Sequence, residues 1–261
     1  MGLAFTTGQL EGYVAQGFFP FARIGACLMV APLFGARFVQ ARTRIILAAA
    51  ITALVVPLIP APTIAPFSAD GFVVVFQQLL IGVAFGFALQ IVFDALTLAG
   101  QLLANSMGLS FAFNVDPLRG TSTPALSQLY TILATLTFLA LGGHVAIIEM
   151  LVAGFEGLPV GTTGLGQEGL WQLIIWGGTV FSGAIGIALP GITALLIVNL
   201  AFGVVSRAAP SLNLFAVGFP ISLVIGLLVI LAGIAPLQES FTRLMSEGFE
   251  FLRNLSGVPH G

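Results

Sequence analysis

The chain has 261 residues, 58% hydrophobic and only 7% charged, with a formal net charge of −2 and a mean hydropathy of +1.10. Soluble domains carry about 25% charged residues, so a water-soluble globule is excluded, and the absence of a basic excess excludes a nucleic-acid partner. One cysteine, Cys27, rules out an intrachain disulfide framework. The class that remains is an all-α polytopic integral membrane protein of about six tilted or kinked spans.

A first span is predicted from Tyr13 to Phe34, kinked by Pro20. It contains Arg23. A charge near the middle of a lipid-facing helix costs about 2.5–3.5 kcal/mol, so Arg23 is expected to face protein or water, or to snorkel to a helix end. Arg37, Arg42 and Arg44 form the only basic cluster, which the positive-inside rule places in the cytoplasm. A second span from Ile45 to Ile59 leads into the stiff turn of Pro57, Pro60, Pro62 and Pro66. The third, from Gly71 to Phe93, carries Gly82 and Gly86, a pair spaced to let another backbone approach. Asp94, Gln101 and Asn105 follow on one helical face. In so apolar a chain that stripe should meet water or polar partners, on an inward-facing helix or on one lying at the membrane surface.

The next stretch is the least membrane-like. Gly108, Leu109, Ser110, Phe111, Ala112, Phe113, Asn114, Val115, Asp116 and Pro117 join an acid, an amide and two aromatics to a proline stop. Irregular polar backbone at membrane depth is tolerated only where protein buries it or where it lines a cavity. The stretch is therefore either a pore or gate element or a surface loop. A fourth span is predicted from Ala125 to Ala153, loosened at Gly142-Gly143 and carrying His144 and Glu149. A Gly-rich loop runs from Gly154 to Gly169, and Trp171 and Trp176 mark a membrane interface. The apolar run that follows reaches Val205 with Pro190-Gly191 in its middle, and is either one kinked helix or two half-helices.

Small residues then repeat. Gly178, Ser182 and Gly186 form one ridge, and Gly218, Ser222 and Gly226 form the same ridge on the next arm, Leu214 to Ile234. Matched ridges predict a hairpin that packs tightly on itself or on similar hairpins. The tail from Leu237 to Leu255 is predicted as an amphipathic helix at the membrane surface or against a partner. No metal constellation, phosphate loop or nucleophile elbow is visible, so neither a cofactor nor an enzymatic activity is expected. Arg23, Asp94 and Glu149 are the possible intramembrane polar sites, and they support the alternative class, a secondary transporter.

Two motifs carry a resemblance: Gly108-Leu-Ser-Phe-Ala with Asp116-Pro117, and Asn199-Leu with the run from Arg207 through Pro210, Asn213 and Gly218 to Pro220. With the Arg cluster and the span order they resemble the FliR family of flagellar export-gate subunits, related to the SctT subunits of injectisomes. The resemblance covers nearly the whole chain. It implies a non-catalytic subunit, present as one copy in a hetero-oligomeric gate with FliP and FliQ, near FlhB and FlhA, in the bacterial inner membrane at the flagellar basal body. It also implies that unfolded flagellar proteins pass through the gate and that membrane lipid surrounds it. Residues 1–124 would be FliP-like and end in the pore loop, 125–235 would include a FliQ-like hairpin at 171–235, and 236–261 would be the amphipathic helix and tail. The family's counterpart of 108–117 plugs the pore. This sequence departs from the pattern in having Phe113 and Asn114 where the family often places its second Phe at the later position.

Overall fold

A computed structural model describes residues 7–36, 39–62, 64–109, 125–208 and 214–257. Among the described residues all regular structure is helical. The α-helices are α1 (Thr7–Val30), α2 (Ala41–Val55), α3 (Ala69–Ser106), α4 (Ala125–Ala140), α5 (Gly143–Gly157), α6 (Gln167–Trp176), α7 (Thr179–Ala208) and α8 (Leu214–Ser256). Five helical stretches are long and apolar enough to cross a membrane, and joining α4 to α5 gives a sixth. The polytopic all-α class read from composition is therefore what the chain adopts.

Four boundaries differ from expectation. The span expected to end at Phe93 continues through the polar stripe as one helix of 38 residues, about 57 Å at 1.5 Å per residue. Polarity on one face does not stop a helix, because the backbone hydrogen bonds are unaffected. The tail expected as a separate amphipathic helix is continuous with the arm before it, and α8 runs 43 residues through Pro220 and Pro236. Each proline removes only one amide donor. The fourth span, by contrast, breaks in two at Gly142, whose φ of +72° ends α4 and opens α5. In the run after Trp171 the interruption falls at Gly177-Gly178, and α7 passes through Pro190 without a break.

The chain forms two compact units, each built from discontinuous segments. The first comprises residues 1–91, 142–177 and 246–261. Its core sets Ile24 and Leu28 of α1 against Ala48, Ile51 and Val55 of α2 and Phe155 of α5. The α1–α3 contact is closer still. A Cβ at Gly82 would overlap the Arg23 carbonyl, and one at Gly86 would lie 2.7 Å from the Cys27 carbonyl and 2.8 Å from the Ala31 nitrogen. Gly82 and Gly86 thus bring two helix backbones together, as their spacing predicts. Ser68 caps α3, accepting from the Gly71 N–H at 3.0 Å. Trp176 turns inward rather than to an interface: its Nε1–H donates to the Ala88 carbonyl at 2.9 Å, and its ring stacks on Phe251 at 4.9 Å.

The second unit comprises residues 92–141 and 178–245. Phe93 makes edge contacts with Phe138 at 5.5 Å and Phe241 at 5.4 Å. Thr97 and Thr131 hydroxyls lie 3.0 Å apart, joining α3 to α4. Helices α7 and α8 form an antiparallel hairpin: Gly183 meets Leu244, Gly191 meets Val229, and the Ser222 hydroxyl donates to Asn199 Oδ1 at 3.2 Å.

Candidate functional site

The polar stripe and its end are built by α3. Asp94, Gln101 and Asn105 are all exposed on the second unit, while Ala95, Leu96, Ala99, Leu103 and Ala104 between them are buried. The helix carrying them is long and apolar enough to cross a membrane. A carboxylate on such a helix is too costly to leave against lipid tails, so this face meets water or polar protein. The stripe runs into a defined stop. Gly108 takes a φ of +78°, its N–H donates to the Asn105 carbonyl, and the Leu109 N–H donates to the Ala104 carbonyl, both at 3.0 Å. This pair of bonds is a Schellman cap, which favours glycine at the left-handed position. Gly108 therefore fixes where α3 ends. Of the stretch singled out in the sequence, Gly108 and Leu109 are described; Ser110, Phe111, Ala112, Phe113, Asn114, Asp116 and Pro117 lie outside the described residues.

Arg23 is a separate centre in the first unit. It is 1% exposed. Its Nε–H donates to Gln78 Oε1 at 2.7 Å, Nη1–H to the Gly154 carbonyl at 3.2 Å, and Nη2–H to the Leu158 carbonyl at 2.6 Å. The guanidinium lies 4.0 Å from the centroid of Phe155. Among the described residues no carboxylate is one of its partners. The compensating charge is the C-terminal end of α5, whose carbonyls carry the negative pole of the helix dipole, supplemented by the ring face; the Gly154 carbonyl also accepts the Leu158 N–H at 3.0 Å. Arg23 faces protein and pins α1, α3 and α5 at one point. Sequence spacing gave no sign of this, because two of its partners are backbone atoms more than a hundred residues away.

Glu149 lies exposed on α5 of the first unit, and Asp94 belongs to the second. Arg23 and Glu149 share a unit but not a site, since one is buried and the other exposed. Among the described residues no cluster of His, Cys, Asp and Glu could hold a metal.

The two small-residue ridges have different surroundings. Gly218, Ser222 and Gly226 are buried in the second unit, and a Cβ at Gly226 would fall on the Met107 thioether. Gly178, Ser182 and Gly186 are exposed, and a Cβ at Gly186 would meet nothing within 4 Å. The face of α7 used inside the chain is instead Ala184, Ala188, Gly191 and Leu195, and a Cβ at Gly183 would lie 3.2 Å from the Ala95 Cβ. Along α7 the exposed ridge is bordered by Phe181, Ile185 and Leu189, each more than half exposed.

The sequence model of the family described as bacterial export proteins, family 1, matches residues 14–248. The flagellar biosynthetic protein FliR of Pectobacterium carotovorum is 38% identical over 254 residues, 97% of each chain. The protein of the same name from Escherichia coli K12 is 37% identical over the same share of both chains. That from Aquifex aeolicus is 34% identical over 213 residues, 80% of this chain and 81% of its own.

Proposed function

The chain belongs to the FliR family of bacterial export proteins, and from that premise we propose that it completes and plugs the pore of the flagellar protein export gate in the bacterial inner membrane. A membrane component of the flagellar export apparatus is what the family and the apolar helices together establish. The finer reading adds roles. Asp94, Gln101 and Asn105 form a strip of pore wall, and the segment 108–117 that leaves the capped end of α3 closes the lumen. Phe111 and Phe113 supply an apolar constriction that excludes hydrated ions.

The observation that supports this is the exposure of the Asp94–Asn105 stripe on a helix otherwise fit for lipid, running without a break to Gly108. A water-filled lumen gives that stripe its solvent and places the stretch after Gly108 at the lumen wall. The outward ridge Gly178, Ser182 and Gly186 is the seat for neighbouring hairpins, with 171–235 corresponding to FliQ and 1–124 to FliP. The subunit itself is non-catalytic. FliP and FliQ are its companions in the gate, FlhB and FlhA lie beside it, and unfolded flagellar proteins are its cargo.

The test is the intact mass of the complex purified through a tag on this chain with FliP and FliQ co-expressed. One copy of this chain with several copies of each companion is expected. A monomer or homodimer that ignores both would overturn the gate assignment.

A further inference from the structure

A cavity of about 350 Å³, open to the outside, lies beside the α7–α8 hairpin in the second unit. Pro190 of α7 and Pro236 of α8 both line it, so the two continuous helices each lack one backbone hydrogen bond at the same level. A proline cannot donate to the carbonyl four residues earlier. The carbonyls deprived in this way belong to Gly186 and Ala232, and both of these residues also line the cavity. Gly191 and Gly233 flank the prolines in the same lining, and glycine is the weakest helix former after proline itself. A Cβ at Gly186 or at Gly233 would meet nothing within 4 Å. Weak backbone and empty space therefore coincide on both arms.

On either side of this level the hairpin is gripped. On one side Gly183 packs on Ala95 and Leu244, and Phe241 on Phe93. On the other, Gly226 seats Met107, the residue before the Gly108 cap. Two proline weak points at the same level of an antiparallel pair let both arms bend together about one axis, where a single one would be held straight by its neighbour. We propose that Pro190 and Pro236 form a paired hinge, about which the outer arm of the hairpin bends as one piece and draws the C-terminal end of α3 with it through the Met107 seat. What the motion serves rests on the gate reading, since the end of α3 is where 108–117 departs; the hinge itself does not depend on that reading.

The test uses the assembled complex in lipid, spin-labelled at Val224→Cys on the outer arm and Leu136→Cys on α4, both exposed; native Cys27 is buried. A bend of about 30° at Pro236 carries Val224, about 18 Å along the helix from it, sideways by about 9 Å. The hinge predicts two resolved distances, and collapse to one when Pro190→Ala and Pro236→Ala are introduced together. It also predicts that Gly233→Leu, which fills empty space, collapses them to one and lowers secretion of flagellar proteins at unchanged chain level. A single distance that neither change alters would overturn it. Two distances in a complex whose pore stays ion-tight after loss of 109–114 would keep the hinge and sink the plug.

Discussion

The α1–α3 junction and the α7–α8 hairpin both use small residues, and they use them to opposite ends. At the junction Gly82 and Gly86 leave no room for a single added carbon, and Arg23 ties the helices to the end of α5 with four partners. In the hairpin one ridge faces outward, and two of its three prolines, Pro190 and Pro236, border a cavity and each remove a backbone hydrogen bond beside it. The same residue type therefore builds a closed anchor inside the chain and leaves an open surface along the hairpin. The discriminating fact is what a Cβ would touch.

That contrast breaks first at the glycines. Gly82→Leu drives a side chain into the Arg23 backbone, so the chain should fail to accumulate in membranes, as read by immunoblot of the membrane fraction. Gly186→Leu should accumulate normally and yet fail to co-purify with FliP and FliQ. Equal loss of both chains from the membrane would erase the distinction between anchor and open ridge. The effect of Arg23 comes next. Arg23→Met strands Gln78 Oε1 and the Leu158 carbonyl, at about 1–3 kcal/mol for each unsatisfied group, while the Gly154 carbonyl keeps the Leu158 N–H. Thermal unfolding of the purified complex should show a clear drop in Tm. Arg23→Lys keeps the charge but not the fork of donors, and should fall between wild type and Met. A smaller effect is expected along the stripe. Gln101→Leu should leave assembly intact and slow secretion, and an unchanged secretion rate would remove Gln101 from the pore wall.

Much of this was legible in the sequence, and the failures have physical causes. Composition gave the class, and the Gly82/Gly86 spacing gave a close backbone approach on α3, though not α1 as its partner. Gly142-Gly143 was legible as a weak point, although the glycines break the helix rather than loosen it. Helix ends were read wrongly wherever polarity or proline stood in for a stop. The real stop of α3 is the left-handed glycine at 108, and α8 stays helical through Pro236; at Pro190, where the sequence left one kinked helix or two halves open, α7 is one helix. The inward face of α7 was hidden because glycine, serine and alanine populate every side of it between Gly177 and Gly191, so spacing could not choose among faces. Trp176 looked like an interface marker because an indole suits both a headgroup and a backbone carbonyl, and its partner Ala88 is distant in the chain.

The reading of 108–117 as a plug stands on the exposed stripe, the capped end of α3 and the family. The measurement that tests it most directly is the ion conductance of membranes containing the assembled complex with Leu109 to Asn114 deleted. The account predicts a large rise in conductance to small ions while secretion persists in part. Conductance equal to wild type in a complex that still assembles would contradict it.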